Sequence, residues 1–322
     1  MPGEFDFIRT YLSERQTSRQ DVNLALGDDC AIVCPPPNAR IALSTDTLVG
    51  GSHFLLSAAP ELVAHKALAS NLSDLAAMGA RPAWMSLALT LPEIDENWLR
   101  PFFDAFFALA DDYGIQLIGG DTTKGPLSIS LTVQGFVPQD KALLRSGAKA
   151  GDWLYVTGKL GDSKAGLDVI LDPTLRGQPF ASELEKRHFL STPRVEFAQG
   201  LLGIASSAID ISDGLLADLQ HILERSCVGA SIDVSLLPYS EQMAAFVGER
   251  DIACQYALTS GEEYELCFTV PEQYKAYVDS QLAQETELHC IGKIESQGHL
   301  KLHDSGQPID WQLSGYDHFK AS

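Results

Sequence analysis

Apolar, β-prone runs alternate with amphipathic helical patterns along this chain, and the alternation constrains the fold more than any other feature. Seven runs have the length and composition of strands, and they span residues 40–49, 84–91, 127–137, 153–157, 231–234, 264–270 and 290–294. Because helical patterns lie between these runs, the sequence predicts an α/β or α+β architecture rather than a helical bundle or a β-sandwich.

Three segments show helical periodicity. The first spans residues 60–78, the second follows the predicted N-cap Asp95, and the third follows Gly214, where Ser212 or Asp213 would be the cap. Their apolar stripes are Leu68, Leu72 and Leu75 in the first, Trp98, Phe102, Ala105 and Leu109 in the second, and Leu215, Leu219, Ile222 and Leu223 in the third.

Length and composition favour two domains over the alternative of one large α/β domain. The chain has 322 residues and is 45% hydrophobic, which is enough apolar material for a large core. A polar stretch rich in Lys and Arg, interrupted by proline and glycine, spans residues 137–151. We therefore expect an N-terminal domain over residues 1–140 and a C-terminal α/β domain over residues 141–322.

Charge and cysteine content limit the partners and the compartment. The formal net charge of −20 opposes general binding to nucleic acid or to an anionic membrane surface. No run of about 18 apolar residues occurs, and acidic residues occupy the N-terminus where a signal peptide needs a basic region, so we expect a cytoplasmic protein. None of the six cysteines forms a C-x-x-C pair, and we expect buried, reduced thiols.

Short acidic motifs recur where an apolar run meets a glycine or a hydroxyl residue. They are Gly27-Asp28-Asp29, Ser44-Thr45-Asp46-Thr47, Asn71-Leu72-Ser73-Asp74, Gly119-Gly120-Asp121 and Asp210-Ile211-Ser212-Asp213-Gly214. Carboxylate oxygens are ligands for hard cations such as Mg²⁺, and hard cations commonly serve phosphate chemistry. The motifs thus indicate a set of carboxylates gathered to hold divalent cations.

Each motif also has an ordinary interpretation. Asp28 and Asp29 could form a turn, Asp74 could be a solvated residue of a helix, and the glycines before Asp121 could form a hairpin turn. Asp46 differs from these because it ends a strand pattern between two hydroxyl residues, which favours a functional placement.

Basic residues outside the acidic motifs are weaker candidates by themselves. His53 could contact a phosphate or be a solvated loop residue, and Arg145 could bind a phosphate or form a surface ion pair. The order of Gly161-Asp162-Ser163-Lys164 is wrong for a phosphate-binding G-x-x-x-x-G-K-[ST] loop, and we reject it as a nucleotide motif.

Taken together and in order, the motifs resemble those of the thiamine-monophosphate kinase family. The resemblance extends over nearly the whole chain. Besides the acidic motifs it includes His53-Phe54, Arg145-Ser146-Gly147-Ala148, Ser260-Gly261-Glu262 and Gly315-Tyr316-Asp317-His318-Phe319.

The resemblance implies an activity, a fold and an assembly. The activity is ATP-dependent phosphorylation of thiamine phosphate to thiamine diphosphate, by direct in-line transfer with several Mg²⁺ ions and no covalent enzyme intermediate. The fold is that of aminoimidazole ribonucleotide synthetase, with an N-terminal ferredoxin-like domain that forms a β-barrel across a homodimer and a C-terminal α/β domain.

Site residues follow from the resemblance by motif position. The implied metal ligands are Asp29, Ser44, Thr45, Asp46, Asp74, Asp121, Asp210 and Asp213. The implied ATP contacts are Gly120, Asp121, Arg145 and Ser212, and the implied thiamine phosphate contacts are His53, Glu262 and Tyr316. The roles of Asp28 and of Glu263, beside Glu262, stay open.

Alternative functions remain to be separated from the kinase. An aminoimidazole ribonucleotide synthetase-like ligase or cyclase shares the implied scaffold, and a nonenzymatic metal-binding or nucleotide-binding regulator could keep the same pocket. The large set of acidic ligands speaks against a regulator, which would need fewer of them.

Overall fold

A computed structural model describes Tyr11, residues 18–296 and residues 298–313 of the chain. The described residues form two compact units. The first unit contains the described residues up to Leu75 together with Ala80–Asp140, and the second contains Ala76–Gly79 and the described residues from Lys141 onward.

The first unit is built on a four-stranded sheet. The described residues of this unit contain a further two-stranded sheet, which makes six strands in all. They are β1 (Val22–Leu24), β2 (Ile32–Val33), β3 (Ala39–Val49), β4 (Arg81–Leu91), β5 (Gln116–Lys124) and β6 (Ser128–Pro138). Strands β1 and β2 pair with each other, and the main sheet has the order β3-β6-β4-β5, with β4 and β5 parallel and the other pairs antiparallel. Helices α1 (Pro60–Ala77) and α2 (Glu96–Asp112) follow β3 and β4 in the chain.

The two faces of this sheet differ in character. Directly paired residues share a face, so Asp46, Leu131, Leu87 and Gly120 lie on one face. Leu131 and Leu87 are buried there. Residues of the other face include many hydroxyl side chains, and two cross-strand hydroxyl pairs join Thr45 to Thr132 and Thr47 to Ser130, each at 2.8 Å.

The connectivity departs from the expected ferredoxin-like order. Within the described residues the elements of the main sheet run β-α-β-α-β-β, whereas a ferredoxin-like domain runs β-α-β-β-α-β. The physical difference is the position of α2, which is a crossover between the neighbouring parallel strands β4 and β5. The coarser prediction of a mixed α/β structure is confirmed.

The glycine pair before Asp121 is part of a strand and not of a hairpin turn. Gly119 and Gly120 lie within β5, where the pairing with β4 shifts register just before Gly119. A Cβ on Gly120 would lie 1.9 Å from the carbonyl oxygen of Leu87, so no other residue fits at this close approach of two backbones.

The second unit is built on a seven-stranded sheet. Its strands are β7 (Trp153–Thr157), β8 (Ser207–Asp210), β9 (Gly229–Asp233), β10 (Leu266–Val270), β11 (Leu288–Glu295), β12 (Leu300–Asp304) and β13 (Gln307–Ile309), in the order β13-β12-β9-β11-β7-β10-β8. Only β9 and β12 pair in parallel among these. Strand β8 is therefore an edge strand, and Asp210 is its last residue.

Helices surround this second sheet. They are α3 (Asp162–Leu171), α4 (Ala181–Phe189), α5 (Val195–Gly200), α6 (Leu215–Ser226), α7 (Glu241–Val247), α8 (Arg250–Thr259) and α9 (Glu272–Ser280). Apolar residues of α6 and α8 join those of the sheet in one core, in which Leu219, Ile209 and Leu258 are at most 1% exposed.

All seven predicted strands and all three predicted helices are confirmed, with small shifts at their ends. Asp95 caps α2, since its side chain accepts the N–H of Asn97. Strand β10 begins two residues later than predicted because Tyr264 has a left-handed φ of 54°. The helix after Gly214 forms, but Gly214 itself is the N-cap, so the predicted cap by Ser212 or Asp213 is wrong.

The prediction that the cysteines are buried is wrong for half of them. All six are free, and only Cys254 and Cys267 are buried, with Cys290 half-buried. Cys30, Cys34 and Cys227 are exposed: Cys30 lies in a bend, Cys34 follows the two-residue strand β2, and Cys227 is the C-cap of α6. Within the described ranges, no helix is long and apolar enough to cross a membrane.

The close packing of α3 against α4 predicts the effect of a glycine substitution. A Cβ on Gly166 would lie 2.1 Å from the backbone oxygen of Leu184, which cannot yield without moving α4. Gly166→Ala should therefore lower the free energy of unfolding by about 1–3 kcal/mol, although alanine favours helix. Urea unfolding followed by circular dichroism measures the loss.

Gly200→Ala is the matched control for this change. Its Cβ would lie 2.9 Å from Cδ2 of Leu282, the mobile end of a side chain, so the expected loss is below about 1 kcal/mol. Equal stability of the two variants would contradict the assigned packing.

Candidate functional site

Two acidic motifs of the first unit meet at β3 and α1. The hydroxyl of Ser44 donates to Oδ2 of Asp74, and the backbone N–H of Asp46 donates to Oδ1 of Asn71 at 3.3 Å. The Asn71 side chain is itself fixed, because its Nδ2 donates to the carbonyl of Ala67 at 2.9 Å within α1. The structure thus brings Ser44, Asp46 and Asp74 together.

The carboxyl of Asp46 is perturbed by this placement. Burial, followed by the negative charge of Asp74, raises its pKa from the usual 3.8 to about 6. Because the folded chain then holds the proton to higher pH than the unfolded chain, this group's stability contribution is full below pH 3.8 and is lost as the pH rises to about 6.

A divalent cation fits this pair of carboxylates. Oxygen ligands from Ser44, Asp46 and Asp74 suit Mg²⁺, and a cation would offset the repulsion that raises the pKa of Asp46. Within the described ranges no three Asp, Glu, His or Cys side chains are grouped closely enough to hold a metal by themselves. Mg²⁺ commonly keeps several waters and binds substrate phosphates, so a partial protein shell is compatible with it.

The two residues of the pair Asp28-Asp29 differ in their local bonding. Oδ1 of Asp28 accepts the backbone N–H of Asp29 at 2.9 Å, which is the local turn bond expected of such a residue. Both residues are exposed, and Asp29 has its carboxylate on the surface of the turn. Asp29 is thereby the better placed of the two to bind an added ligand.

Asp121 and Thr45 lie on the other face of the sheet from Asp46. Asp121 pairs with Ala88, which pairs with Ser130, which pairs with Thr47, and Thr45 is on the same face as Thr47. Asp121 is exposed there. Within one chain the strand register therefore separates these two predicted metal ligands from Ser44 and Asp46.

His53 follows β3 in a turn that fixes its ring. The ring atom Nδ1 of His53 accepts the backbone N–H of Val49 at 3.0 Å. The backbone N–H of His53 donates to the carbonyl of Val49, also at 3.0 Å. Because Nδ1 accepts a hydrogen bond, a neutral ring carries its hydrogen on Nε2. The half-buried side chain thus has an N–H donor suited to an anion.

In the second unit, the pairing of β8 with β10 continues into the loops that follow Asp210 and precede Leu266. The backbone N–H of Tyr264 donates to the carbonyl of Ile211 at 2.9 Å, and that of Glu262 donates to the carbonyl of Ser212 at 2.8 Å. The structure therefore places the predicted residues Asp210, Ser212 and Asp213 beside the loop that contains Glu262.

Asp218, which the sequence analysis did not single out, holds the first of these loops. Its Oδ2 accepts the backbone N–H groups of Ser212, Asp213 and Gly214 at 3.0, 3.0 and 3.1 Å. The side chain is 2% exposed, and burial raises the pKa of its carboxyl to about 7 despite these bonds. The only sequence signal was an acidic residue in the first turn of α6.

Glu263 is buried, whereas Glu262 is only half-buried. The carboxylate of Glu263 accepts the N–H groups of Gly161 and Ser163 at 2.9 and 3.1 Å and the hydroxyl of Ser260, and burial raises its pKa to about 8. Glu262 is half-buried, with a left-handed φ of 58°. Glu262 is thus the less buried member of the pair.

The same bonds explain why Gly161-Asp162-Ser163-Lys164 is not a phosphate loop. The N–H groups at this start of α3 already donate to Glu263 and, from Lys164, to the Ser260 hydroxyl at 3.0 Å. A phosphate would have to displace both acceptors.

Arg145 lies in an exposed turn beside β8. The turn is held by Ser226, whose hydroxyl accepts from Gly147 and Ala148 at 3.1 and 3.2 Å and donates to the Arg145 carbonyl at 3.2 Å. Tyr316, the remaining predicted substrate contact, lies outside the described residues.

Comparison with known families covers both units. Residues 27–137 match the AIR synthase related protein, N-terminal domain, and residues 149–305 match the AIR synthase related protein, C-terminal domain. The thiamine-monophosphate kinase of Escherichia coli K12 is 50% identical over 321 residues, which are 98% of each chain.

Solved structures resemble the chain in fold as well as in sequence. The crystal structure of thiamine-monophosphate kinase from Stenotrophomonas maltophilia K279a matches with a TM-score of 0.83 and 42% identity, over 90% of this chain and 93% of the other. The structure of AaThiL complexed with AMPPCP and TMP matches with a TM-score of 0.79 and 31% identity, over 92% of each chain.

The carboxylates of Asp46 and Asp74 predict stabilisation by divalent cations. A ligand that binds only the folded chain stabilises it by about 2.7 kcal/mol at one hundred times its dissociation constant. Mg²⁺ or Mn²⁺ should therefore raise the midpoint of thermal unfolding, and Asp46→Asn should reduce that rise. Thermal unfolding at pH 8 with EDTA or added cation measures both effects.

The matched control is Asp111→Asn, at an exposed position of α2. This variant should keep the full cation-dependent rise in the midpoint of thermal unfolding. In EDTA at pH 8, Asp46→Asn should be at least as stable as the wild type, since it removes a carboxyl whose ionisation opposes folding. An undiminished cation effect in Asp46→Asn would remove Asp46 from the site.

Proposed function

Because the chain belongs to the thiamine-monophosphate kinase family, within the AIR synthase related proteins, we propose that it phosphorylates thiamine phosphate with ATP. The products are thiamine diphosphate and ADP. The observation that carries the proposal is 50% identity to a thiamine-monophosphate kinase along 98% of both chains. AaThiL, solved with an ATP analogue and TMP, supports the same pair of substrates.

The proposed transfer is direct. An oxygen of the thiamine phosphate attacks the γ-phosphorus of ATP, a P–O bond forms, and the bond to the β,γ-bridging oxygen breaks as ADP leaves. The attacking phosphate is already an anion near neutral pH, so no strong general base is required. The chain's contribution is to position two anions and to lower their mutual repulsion.

Metal binding is part of the proposal. Bound Mg²⁺ would neutralise phosphate charge and orient phosphate oxygens for in-line transfer. In the first unit the proposed ligands are Asp29, Ser44, Thr45, Asp46, Asp74 and Asp121, and in the second unit they are Asp210 and Asp213. The closeness of Ser44, Asp46 and Asp74 and the perturbed pKa of Asp46 support this assignment.

Substrate contacts are proposed from the remaining predicted residues. ATP is bound by Gly120, Asp121, Arg145 and Ser212, and thiamine phosphate by His53, Glu262 and Tyr316. The Nε2–H of His53 is a donor for a phosphate oxygen, which the bond at Nδ1 supports. The carboxylate of Glu262 is an acceptor for the amino group of thiamine, and Tyr316 offers an aromatic face to a flat cation.

A homodimer with a β-barrel across its interface completes the proposal. The face of β3 that carries Thr45 also exposes Ile41 and Leu43, the latter with 66% of its surface accessible. Such apolar side chains on a sheet face favour coverage by a second copy. Asp121 lies on this same face. The N-terminal domain would therefore serve dimerisation as well as metal and ATP binding.

A cytoplasmic location is proposed as well. ATP is the proposed co-substrate, and all six cysteines are free thiols, as expected in a reducing compartment.

The proposed activity predicts a defined stoichiometry. Purified protein incubated with ATP, Mg²⁺ and thiamine phosphate should form thiamine diphosphate and ADP in equal amounts, measured by chromatography. Asp46→Asn should lower kcat by at least about a hundredfold, because it removes a carboxylate from the cation site. Its fold is checked by circular dichroism.

Thiamine without its phosphate is the matched acceptor control and should give no product. Failure to form both products across several divalent cations would overturn the proposed function. Near-normal kcat in Asp46→Asn would overturn the metal role of that residue only.

The different burial of Glu262 and Glu263 predicts different effects of the same substitution. Glu262→Gln should raise KM for thiamine phosphate at least about tenfold and change KM for ATP little, since a charged acceptor is lost. Glu263→Gln should leave both values within about threefold, because its amide oxygen can keep the bonds from Gly161 and Ser163.

Steady-state kinetics with each substrate varied in turn makes this comparison. A larger effect of Glu263→Gln than of Glu262→Gln on KM for thiamine phosphate would show that the assignment is reversed.

A further inference from the structure

Asp218 is a buried carboxylate that the proposed chemistry does not use. It lies on α6, and its Oδ2 accepts three successive backbone N–H groups, those of Ser212, Asp213 and Gly214. One oxygen atom therefore fixes the path of the loop between β8 and α6. Short side chains of that loop, those of Ser212 and Asp213, are the proposed ATP contact and a proposed metal ligand.

The loop held by Asp218 is joined to the loop that contains Glu262. The carbonyl of Ser212 accepts the N–H of Glu262 at 2.8 Å, so the backbones of the two loops are directly bonded. The two backbones lie too close to leave room for a side chain at either of two glycines. A Cβ on Gly261 would lie 2.7 Å from the Ser212 oxygen, and a Cβ on Gly214 would lie 2.8 Å from the Thr259 oxygen. A shift of one loop therefore displaces the other.

The backbone of Glu262 has an uncommon conformation where the two loops meet. Its φ is 58° and that of Tyr264 is 54°, and neither residue is glycine. Left-handed backbone costs about 1–2 kcal/mol for an ordinary residue, so it persists only where surrounding bonds require it. Those bonds are the one to Ser212 on one side and those of the buried Glu263 on the other.

We propose that Asp218 is a positioning residue, which fixes Ser212 and Asp213 through three backbone bonds and fixes Glu262 through the bond between Ser212 and Glu262. The inference rests on the proposed function for the roles of those three side chains. The role of Asp218 is geometric, because its acceptor oxygen acts on the backbone and not on a ligand.

Two substitutions of Asp218 separate a geometric role from a charge role. Asp218→Asn loses the charge but can place an amide oxygen where Oδ2 lies, whereas Asp218→Glu keeps the charge and displaces the acceptor by one methylene. We expect kcat/KM for both substrates to stay within about threefold in Asp218→Asn and to fall at least about tenfold in Asp218→Glu. A higher kcat/KM in Asp218→Glu than in Asp218→Asn would overturn the proposal.

Hydrogen exchange supplies a readout that does not depend on activity. The amides of Ser212, Asp213 and Gly214 should exchange slowly in the wild type and in Asp218→Asn, and at least about tenfold faster in Asp218→Glu. Glu262 should follow them, because its N–H donates to the same loop. Unchanged exchange at Glu262 in Asp218→Glu would overturn the link between the loops.

Asp152→Ala is the matched control for loss of a buried carboxylate. Asp152 is 5% exposed and accepts the N–H of Lys149 at 2.9 Å and the hydroxyl of Ser206 at 2.6 Å, just before the start of β8. This variant should lose stability without faster exchange at Ser212 or Glu262. Faster exchange at Ser212 or Glu262 in this variant would show that any general loss of stability loosens the two loops, and it would overturn the proposal.

Failure of the proposed function and failure of the positioning role of Asp218 are distinguishable. If the wild type forms no thiamine diphosphate but Asp218→Glu still loosens both loops, the proposed function fails and the positioning role stands. If the wild type is active and Asp218→Glu keeps both slow exchange and full kcat/KM, the positioning role fails alone.

Discussion

The antiparallel pairing of β8 with β10 continues beyond the ends of both strands, and the arrangement of the second unit's polar residues depends on this continuation. Bonds from the N–H of Tyr264 to the carbonyl of Ile211 and from the N–H of Glu262 to the carbonyl of Ser212 hold the loop after β8 beside the loop before β10 in the same antiparallel arrangement. Glycine is required where they meet, because a Cβ on Gly261 would touch the Ser212 oxygen. One edge of the sheet thereby presents Asp210, Ser212 and Glu262 together without any side-chain bond among them being needed.

Burial decides which of the many acidic residues hold the fold and which are open to a ligand. Asp218 and Glu263 are buried, accept two or three backbone N–H groups each, and have raised pKa values of about 7 and about 8. Their bonds replace the water that a carboxylate loses on burial. Burial also raises the pKa of Asp46, and the negative charge of Asp74 raises it further, so a cation bound near the two carboxylates would lower it.

The sequence predicted the elements well and the local contacts poorly, and the reason is the range of the interactions involved. Apolar periodicity within a segment located β3, α1, α2 and α6 because burial of one face is a local pattern. The strand register that puts Asp46 and Asp121 on opposite faces arises from pairing between distant segments. The exposure of Cys30 and Cys34 and the inward orientation of Glu263 likewise depend on contacts that composition does not encode.

The candidate site in the second unit contains both residues of the acidic motifs and a residue outside them. The ordered acidic motifs indicated Asp210 and Asp213 by resemblance, and the structure adds Asp218, which lies five residues after Asp213 and is chemically identical to it. Only the fold distinguishes the two, because one carboxylate is turned back into its own loop and buried while the other stays half-buried. Since an acceptor that fixes three amides tolerates little displacement, the geometry of the proposed ligands depends on a residue that touches no ligand.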